Sequence, residues 1–384
     1  MTAQTAYLCR RIFDGDRLVE GVALVVREGK VDGLCPRREL AGDIDKVDLG
    51  DGLLAPGLID LQVNGGGGLM LGDAETVGDI ARICAAHLRL GTTALTPTLI
   101  TDTPETTRKV VGLAVRAWKE RIPGFHGLHL EGPHLFAGRK GAHDAALIRP
   151  MTEDDLELYL AAARELPSLI LTLAPESICL GTIARMARAG IHVSLGHSNA
   201  TYDESRRAEE AGARLVTHLY NAMSPLQHRE PGLVGAALDL GGLSAGLIAD
   251  GVHVDAAAIR IALNAKTGPG RIFLVTDAMS QTGTDVSSFF LKGREIFRRD
   301  GTLRLADGTL AGADTDLPAS IGFLCETVGI PLETALAMAS TFPADILGRP
   351  LGRFRRDYPA DFVLFGEGLS VDGVWIGGKR QPRA

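Results

Sequence analysis

The sequence has no run of about twenty uninterrupted apolar residues, and no basic start followed by a long apolar stretch. A membrane span and a secretory leader are therefore not expected. Cysteine is scarce: Cys9, Cys35, Cys84, Cys179 and Cys325 are scattered and odd in number. That argues against a disulfide framework and for reduced thiols in a cytoplasmic protein. There is no excess of basic charge. The net charge of -7 excludes a broad cationic face, and with it nucleic acid as the expected partner. The glycine run Gly65–Gly68 lacks a following Gly-Lys-Ser/Thr, so it is not a phosphate-cradling nucleotide loop. It reads instead as a close-approach loop over the mouth of a barrel.

What remains is a chain of 384 residues, 47 of them glycine, rich in short turns. Residues 6–50 show strands and turns without helical periodicity. From Leu53 onward, apolar runs alternate with helical patterns. Eight runs end near Asp60, Thr98, Glu131, Ala174, His197, His218, Asp250 and Asp277. Strands separated by helices pair in parallel, and eight such units predict a closed (β/α)8 TIM-like barrel. Residues 289–310 read as a hairpin-rich insertion, and 353–378 return to strands. The expected organisation is a small β-sandwich domain from both chain termini, 1–52 and 353–384, with a barrel over 53–352.

In this fold the C-terminal strand ends carry the chemistry. The stretch Ile191–Met223 contains two β-rich runs, each ending in a histidine, His197 and His218. With Glu131 they offer two imidazoles and a carboxylate, a donor set that divalent metals accept. A polar network closing the barrel mouth is the bland alternative. Asp277 is open between an acid/base and a cap on the next helix. His143, in a polar loop, is either a group that polarises a carbonyl or an ordinary exposed histidine. Arg229, His228 and His253 are anion candidates, and the backbone N–H groups of Asn221 and Ala222 could add donors. Arg229 paired with Glu230 on the surface is the alternative. Thr152 is expected to cap a helix, whereas Asp155 is short for the second arm of a capping box.

PGLIDLQVNGGGG, GLHLEGPHL with KGAH, LAPE, SLGHSNA, THLYNAM with REPG, IADGVH, VTDA and GTLAG occur in this order. The combination resembles the N-acetylglucosamine-6-phosphate deacetylase family of the amidohydrolase superfamily. The resemblance implies metal-dependent hydrolysis of the N-acetyl group of N-acetylglucosamine 6-phosphate, giving glucosamine 6-phosphate and acetate. It implies metal binding by Glu131, His197 and His218, proton transfer by Asp277, and a carbonyl-orienting His143. Asn221, Ala222, Arg229 and His253 match positions that bind sugar and phosphate. It also implies a homodimer in which the Arg229-like residue can reach the neighbouring site.

Many amidohydrolases carry His-x-His after the first strand. Here Gln62 and Asn64 stand at those vestigial second-metal positions, so one divalent ion per subunit is expected. Zinc comes first, with iron, cobalt or manganese also suited to the donors. After GTLAG the chain departs from the family, with Asp314 and Asp316 near the expected sugar pocket. They are expected to face away from a phosphate or to meet sugar hydroxyls. The competing readings are the N-acetylgalactosamine 6-phosphate epimer, another amidohydrolase, or a non-catalytic, metal-stabilised sugar-phosphate-binding protein.

Overall fold

The computed structural model describes residues 4–291, 293–299, 301–308 and 310–382; Thr309 of the GTLAG motif lies outside them. The chain divides into two compact units, Met1–Asp60 with His87–Ala94 and Asp316–Ala384, and Leu61–Ala86 with Leu95–Thr315.

In the first unit, two sheets face one another. One runs Lys30–Pro36, Val22–Arg27, Gln4–Leu8, Asp45–Asp48; the other runs Lys379–Arg380, Val371–Ile376, Phe362–Phe365, Leu53–Pro56, Arg11–Phe13, Leu18–Glu20. Alternate residues of both sheets meet in one core, with Tyr7, Leu24 and Val26 from the first and Ile12, Leu54, Phe362 and Trp375 from the second. Phe362 and Trp375 stack with centroids 4.9 Å apart. This is a β-sandwich drawn from both ends of the chain.

The central sheet has eight parallel strands: β1 (Leu58–Val63), β2 (Thr92–Ile100), β3 (Leu128–Glu131), β4 (Leu169–Leu173), β5 (His192–Leu195), β6 (Leu215–Val216), β7 (Ser244–Leu247) and β8 (Ile272–Leu274). Their order in the sheet follows their order in the chain. Just beyond β8, a parallel bridge between Val63 and Ala278 and a bond from Asp277 N–H to Gln62 O (3.0 Å) close the barrel. Successive strands pair as neighbours because each returns through a helix. Helix Pro104–Lys119 starts on a proline, with Thr103 accepting from Thr106 N–H.

Several local expectations need correction. The run 53–62 is two strands, broken at Pro56-Gly57, with Leu53–Pro56 joining the terminal sheet and β1 the barrel. Asp155 completes the capping box after all: its carboxylate accepts from Thr152 N–H at 2.9 Å while Arg149 grips both its oxygens. The glycine run is a two-stranded ladder of Gly65–Gly66 with Leu69–Met70, in which a Cβ on Gly65 would lie 2.3 Å from Leu69 O. The close approach is thus to its own hairpin, and none of the four glycines lines the cavity described below. The hairpin-rich reading of the insertion holds: it is a four-stranded antiparallel sheet, Ser288–Leu291, Arg294–Arg299, Thr302–Leu305 and Leu310–Ala313.

Candidate active site

The barrel strands deliver their polar residues to one cavity. It is lined by Glu131, His143, His197, His218, Asn221, Ala222, His253 and Asp277, with Asn64 and the apolar Ile100, Ile248 and Met279. Glu131 ends β3, and His197 and His218 each stand two residues beyond β5 and β6. His197, His218 and Asp277 all adopt left-handed backbone, with φ of 48°, 31° and 52°. Non-glycine residues avoid this region, at a cost of about 1–3 kcal/mol each. Such strain persists where surrounding structure enforces it and clusters at functional sites.

Glu131 Oε1 lies 3.2 Å from His197 Nε2 and 3.1 Å from His218 Nε2, and the two Nε2 atoms are 3.0 Å apart. Three donor atoms at these separations fit the edges of a tetrahedron, about 3.3 Å for bonds of about 2.0 Å to a zinc-sized cation. The His197 tautomer agrees. His197 Nδ1 is 2.8 Å from Arg139 O, a carbonyl that only accepts, so Nδ1 carries the proton and Nε2 presents its lone pair. Burial opposes the charge on Glu131, but positive charge on the facing imidazoles, or a cation held between them, outweighs it and keeps its carboxyl well below the usual range. The cluster could hold a metal ion.

His143 stands beside this triad, its Nε2 3.8 Å from Glu131 Oε2, and its ligand atom also lies within 4.8 Å of those of Glu131 and His197. Its Nδ1, however, takes the Thr101 N–H at 3.3 Å and lies 2.7 Å from Thr101 Oγ1. A backbone N–H can only donate, so the neutral ring keeps its proton on Nε2. Burial, then His197, pulls its pKa down to about 3. A neutral donor aimed into the cavity suits an oxygen better than a cation. The His218–His197–Glu131 set is therefore the better ligand triad. His143 is buried, contrary to an ordinary exposed loop histidine.

Asp277, half-buried, lines the cavity across the same space. Its Oδ1 accepts from Asn64 Nδ2 at 2.8 Å and Gln62 Nε2 at 3.1 Å, while Gln62 Nε2 also reaches Glu131 Oε1 at 3.0 Å. The two amides thus act as donors to carboxylates. Burial, and secondarily the Glu131 charge, raises the Asp277 pKa. No helix follows Asp277 directly, so a helix cap is not its position.

The anion candidates divide. His253 lines the cavity, with Nδ1 2.7 Å from Asp250 Oδ2. Asn221 N–H is spent on His218 O at 2.9 Å, which leaves the Asn221 side chain and Ala222 as that turn's elements at the cavity wall. Arg229 and His228 are exposed and do not line the cavity. Arg229's neighbour Glu230 instead accepts from Tyr202 N–H and Gly232 N–H. Asp314 accepts from Arg298 Nε at 2.7 Å, and Asp316 caps helix Leu317–Phe323 through Ala319 N–H; neither lines the cavity.

Sequence reasoning missed Thr101, which orients His143, and gave Glu176 no role. Glu176 accepts from Ser198 Oγ at 2.7 Å and Asn199 N–H at 2.6 Å, fixing the turn after His197. The LAPE block flagged Glu176, but nothing in the sequence flags Thr101.

A barrel with histidine, carboxylate and acid/base candidates at its strand ends is the architecture of a hydrolase of amide bonds, and the amidohydrolase family profile matches residues 53–380. At 38% identity the chain is similar to N-acetylgalactosamine-6-phosphate deacetylase of Shewanella sp. (strain ANA-3), over 96% of this chain and 94% of that one. It is 33% identical to N-acetylglucosamine-6-phosphate deacetylase of Haemophilus influenzae, over 93% and 94% of the two chains. The crystal structure of N-acetylglucosamine-6-phosphate deacetylase from Pasteurella multocida superposes with a TM-score of 0.94 at 34% identity, covering 98% of this chain and 99% of that one. The chain belongs to the N-acetylhexosamine-6-phosphate deacetylase branch of the amidohydrolase family.

Proposed function

We propose that the protein hydrolyses the N-acetyl group of N-acetylglucosamine 6-phosphate to glucosamine 6-phosphate and acetate. The observation that carries this reading is the convergence of Glu131, His197 and His218 opposite Asp277 in one cavity. One divalent ion, zinc first, is held by Glu131, His197 and His218, with iron, cobalt or manganese within the range of the donors. Such an ion supplies Lewis acidity toward a water and the amide carbonyl.

The protein's own groups do the rest. Asp277 takes the proton of the attacking water and returns it to the nitrogen as the C–N bond breaks. Gln62 and Asn64 fix its Oδ1, so the other oxygen serves the transfer. The Nε2–H of His143 donates to the acetyl oxygen as charge develops there. Asn221, Ala222 and His253 hold the sugar phosphate, joined in a homodimer by the partner subunit's Arg229. The exposure of Arg229 on its own subunit supports that assignment. A domain built from both chain termini beside a barrel is part of the same reading, supported by the sheet that Arg11–Phe13 shares with Val371–Ile376; Leu53–Pro56 joins that sheet, so the first boundary falls after Pro56 rather than between 52 and 53. A cytoplasmic location fits five free cysteines and a phosphorylated substrate. No helix among the described residues is long and apolar enough to cross a membrane.

A second reading has its own support: the Shewanella relative, at 38% identity, acts by name on the galactosamine epimer. Acetate release from both epimers and from unphosphorylated N-acetylglucosamine tests both. Faster release from the galacto sugar selects the second reading. No release from either phosphate by metal-replete protein refutes both. Equal rates without phosphate refute the anion site.

A further inference from the structure

We infer that Arg294, in the inserted sheet, is a positioning residue for His143. The inference rests on the hydrolytic reading above and gives the insertion a task in that reaction. The sheet is fixed at one end to the strand end that carries Asp277. Ala313 forms a parallel bridge with Ala278, and Gln281 Nε2 donates to Ala313 O at 3.2 Å. Arg298 binds Asp314 Oδ2 and Thr284 O, both at 2.7 Å. From there Leu310, Ala311 and Gly312 run along the cavity wall. The sheet buries Leu291, Ile296 and Leu303 against Met70 and Met279, with Ala142 packed on the same cluster.

At the other end, Arg294 Nη2 donates to Ala142 O at 2.6 Å. Ala142 immediately precedes His143. The loop around it touches the triad at two further points. Arg139 O accepts from His197 Nδ1–H at 2.8 Å, and a Cβ on Gly141, whose φ is +54°, would lie 3.4 Å from the His197 ring. Thr101 fixes the His143 ring, but its backbone is held from the sheet side by the Arg294 bond. The sheet therefore spans the cavity from the acid/base strand end to the His143 loop. Arg294 is the charge-assisted contact at the far end of that span. Its removal leaves the Ala142–His143 peptide held only by the bond from His143 N–H to Lys140 O (3.0 Å) and loosens His143 relative to the acetyl oxygen. Displacement by about 1 Å costs on the order of a hundredfold in rate.

The test is steady-state kinetics on the metal-replete enzyme with Arg294→Ala, Arg294→Lys, His143→Ala and the Arg294→Ala/His143→Ala double variant. The expected result is a fall in kcat of about 10- to 100-fold in R294A, with KM within about threefold. R294K, which keeps one donor, recovers part of the loss. In the H143A background the Arg294→Ala change costs less than about twofold, because the group it positions is gone. A purely structural role predicts the same loss in both backgrounds, and that outcome overturns the inference, as does R294A turning over like wild type. Wild type inactive on both N-acetylhexosamine 6-phosphates defeats the hydrolytic reading itself. Active wild type with an unaffected R294A defeats only the role of Arg294.

Discussion

Replacing Asp277 by Asn isolates proton transfer from everything else the residue does. Its Oδ1 accepts two amide donors, Gln62 at 3.1 Å and Asn64 at 2.8 Å, and an asparagine oxygen can accept both. Its φ of 52° lies in the left-handed region, which asparagine tolerates as well as aspartate does. Asp277→Ala would strand both donors, at about 1–3 kcal/mol each, and add backbone strain, so its kinetics would mix two effects. The amide leaves no acceptor for a water proton and no acid for the departing amine. General acid–base catalysis contributes about 10²–10⁴-fold, equivalent to about 3–5 kcal/mol of barrier. The expected outcome is a kcat lower by that factor, with metal content, melting temperature and product affinity unchanged. Acetate release by purified, metal-replete D277N beside wild type is the assay. Turnover within about tenfold of wild type would remove Asp277 from the acid/base role.

Three further predictions concern the metal and two carboxylates, Asp361 and Asp155. Protein purified without chelator should carry one equivalent of divalent metal per chain by elemental analysis, because Gln62 and Asn64 present N–H donors to carboxylates; two equivalents would contradict that. The Asp361 carboxyl, which accepts from Gly377 N–H at 2.7 Å, is pushed up to about 6 by burial. A raised folded value means that the folded state favours the proton, so stability is highest below about pH 4 and falls as pH rises through about 6. Asp361→Asn should stabilise by about 3 kcal/mol at pH 8 and by almost nothing at pH 4; equal melting shifts at both would refute the sign. Asp155 is the opposite case: burial raises its pKa, but Arg149 and Thr152 outweigh burial and depress it. Its contribution is present above about pH 4 and fades as pH falls through the depressed value. Asp155→Asn should cost about 2–3 kcal/mol at pH 7, a deficit in thermal unfolding that shrinks toward pH 3. A deficit independent of pH would show that packing, not charge, is responsible.

The barrel was legible because its strands are apolar runs separated by amphipathic helices, a pattern that needs only local sequence. Pro104–Lys119 and Leu169–Leu173 carry that pattern cleanly and fold as read. Helix Gly232–Asp239 was not legible: every residue from Gly232 to Leu238 is buried, so there is no polar face to give a period, and two glycines argue against helix. Helix Thr341–Leu347 hides behind Pro343 in its first turn. Within the site, strand-end position identified Glu131, His197, His218 and Asp277 as candidates. Which way each side chain turns was beyond sequence, because it depends on left-handed backbone set by tertiary contacts. The same holds for Thr101, whose link to His143 joins residues 42 apart.

The exchange of imidazoles for amides at positions 62 and 64 has an electrostatic consequence beyond the number of metals. Glu131, buried, and Asp277, half-buried, are two carboxylates in contact with the same Gln62 Nε2. Like charges so placed cannot both ionise at their ordinary pKa. The surroundings push them apart. Positive charge on the facing imidazoles, or a cation held between them, keeps Glu131 well below the usual range, while burial and the Glu131 charge raise Asp277. A pair split in this way suits one carboxylate to permanent charge and the other to carrying a proton. A second cation beside Asp277 would pull its pKa back down and weaken it as a base. Neutral amides instead orient the carboxylate through hydrogen bonds and add no net positive charge. In the proposed reaction, Gln62 and Asn64 would thus do more than mark a vestigial second-metal position: they would help keep Asp277 able to accept a proton and give it back.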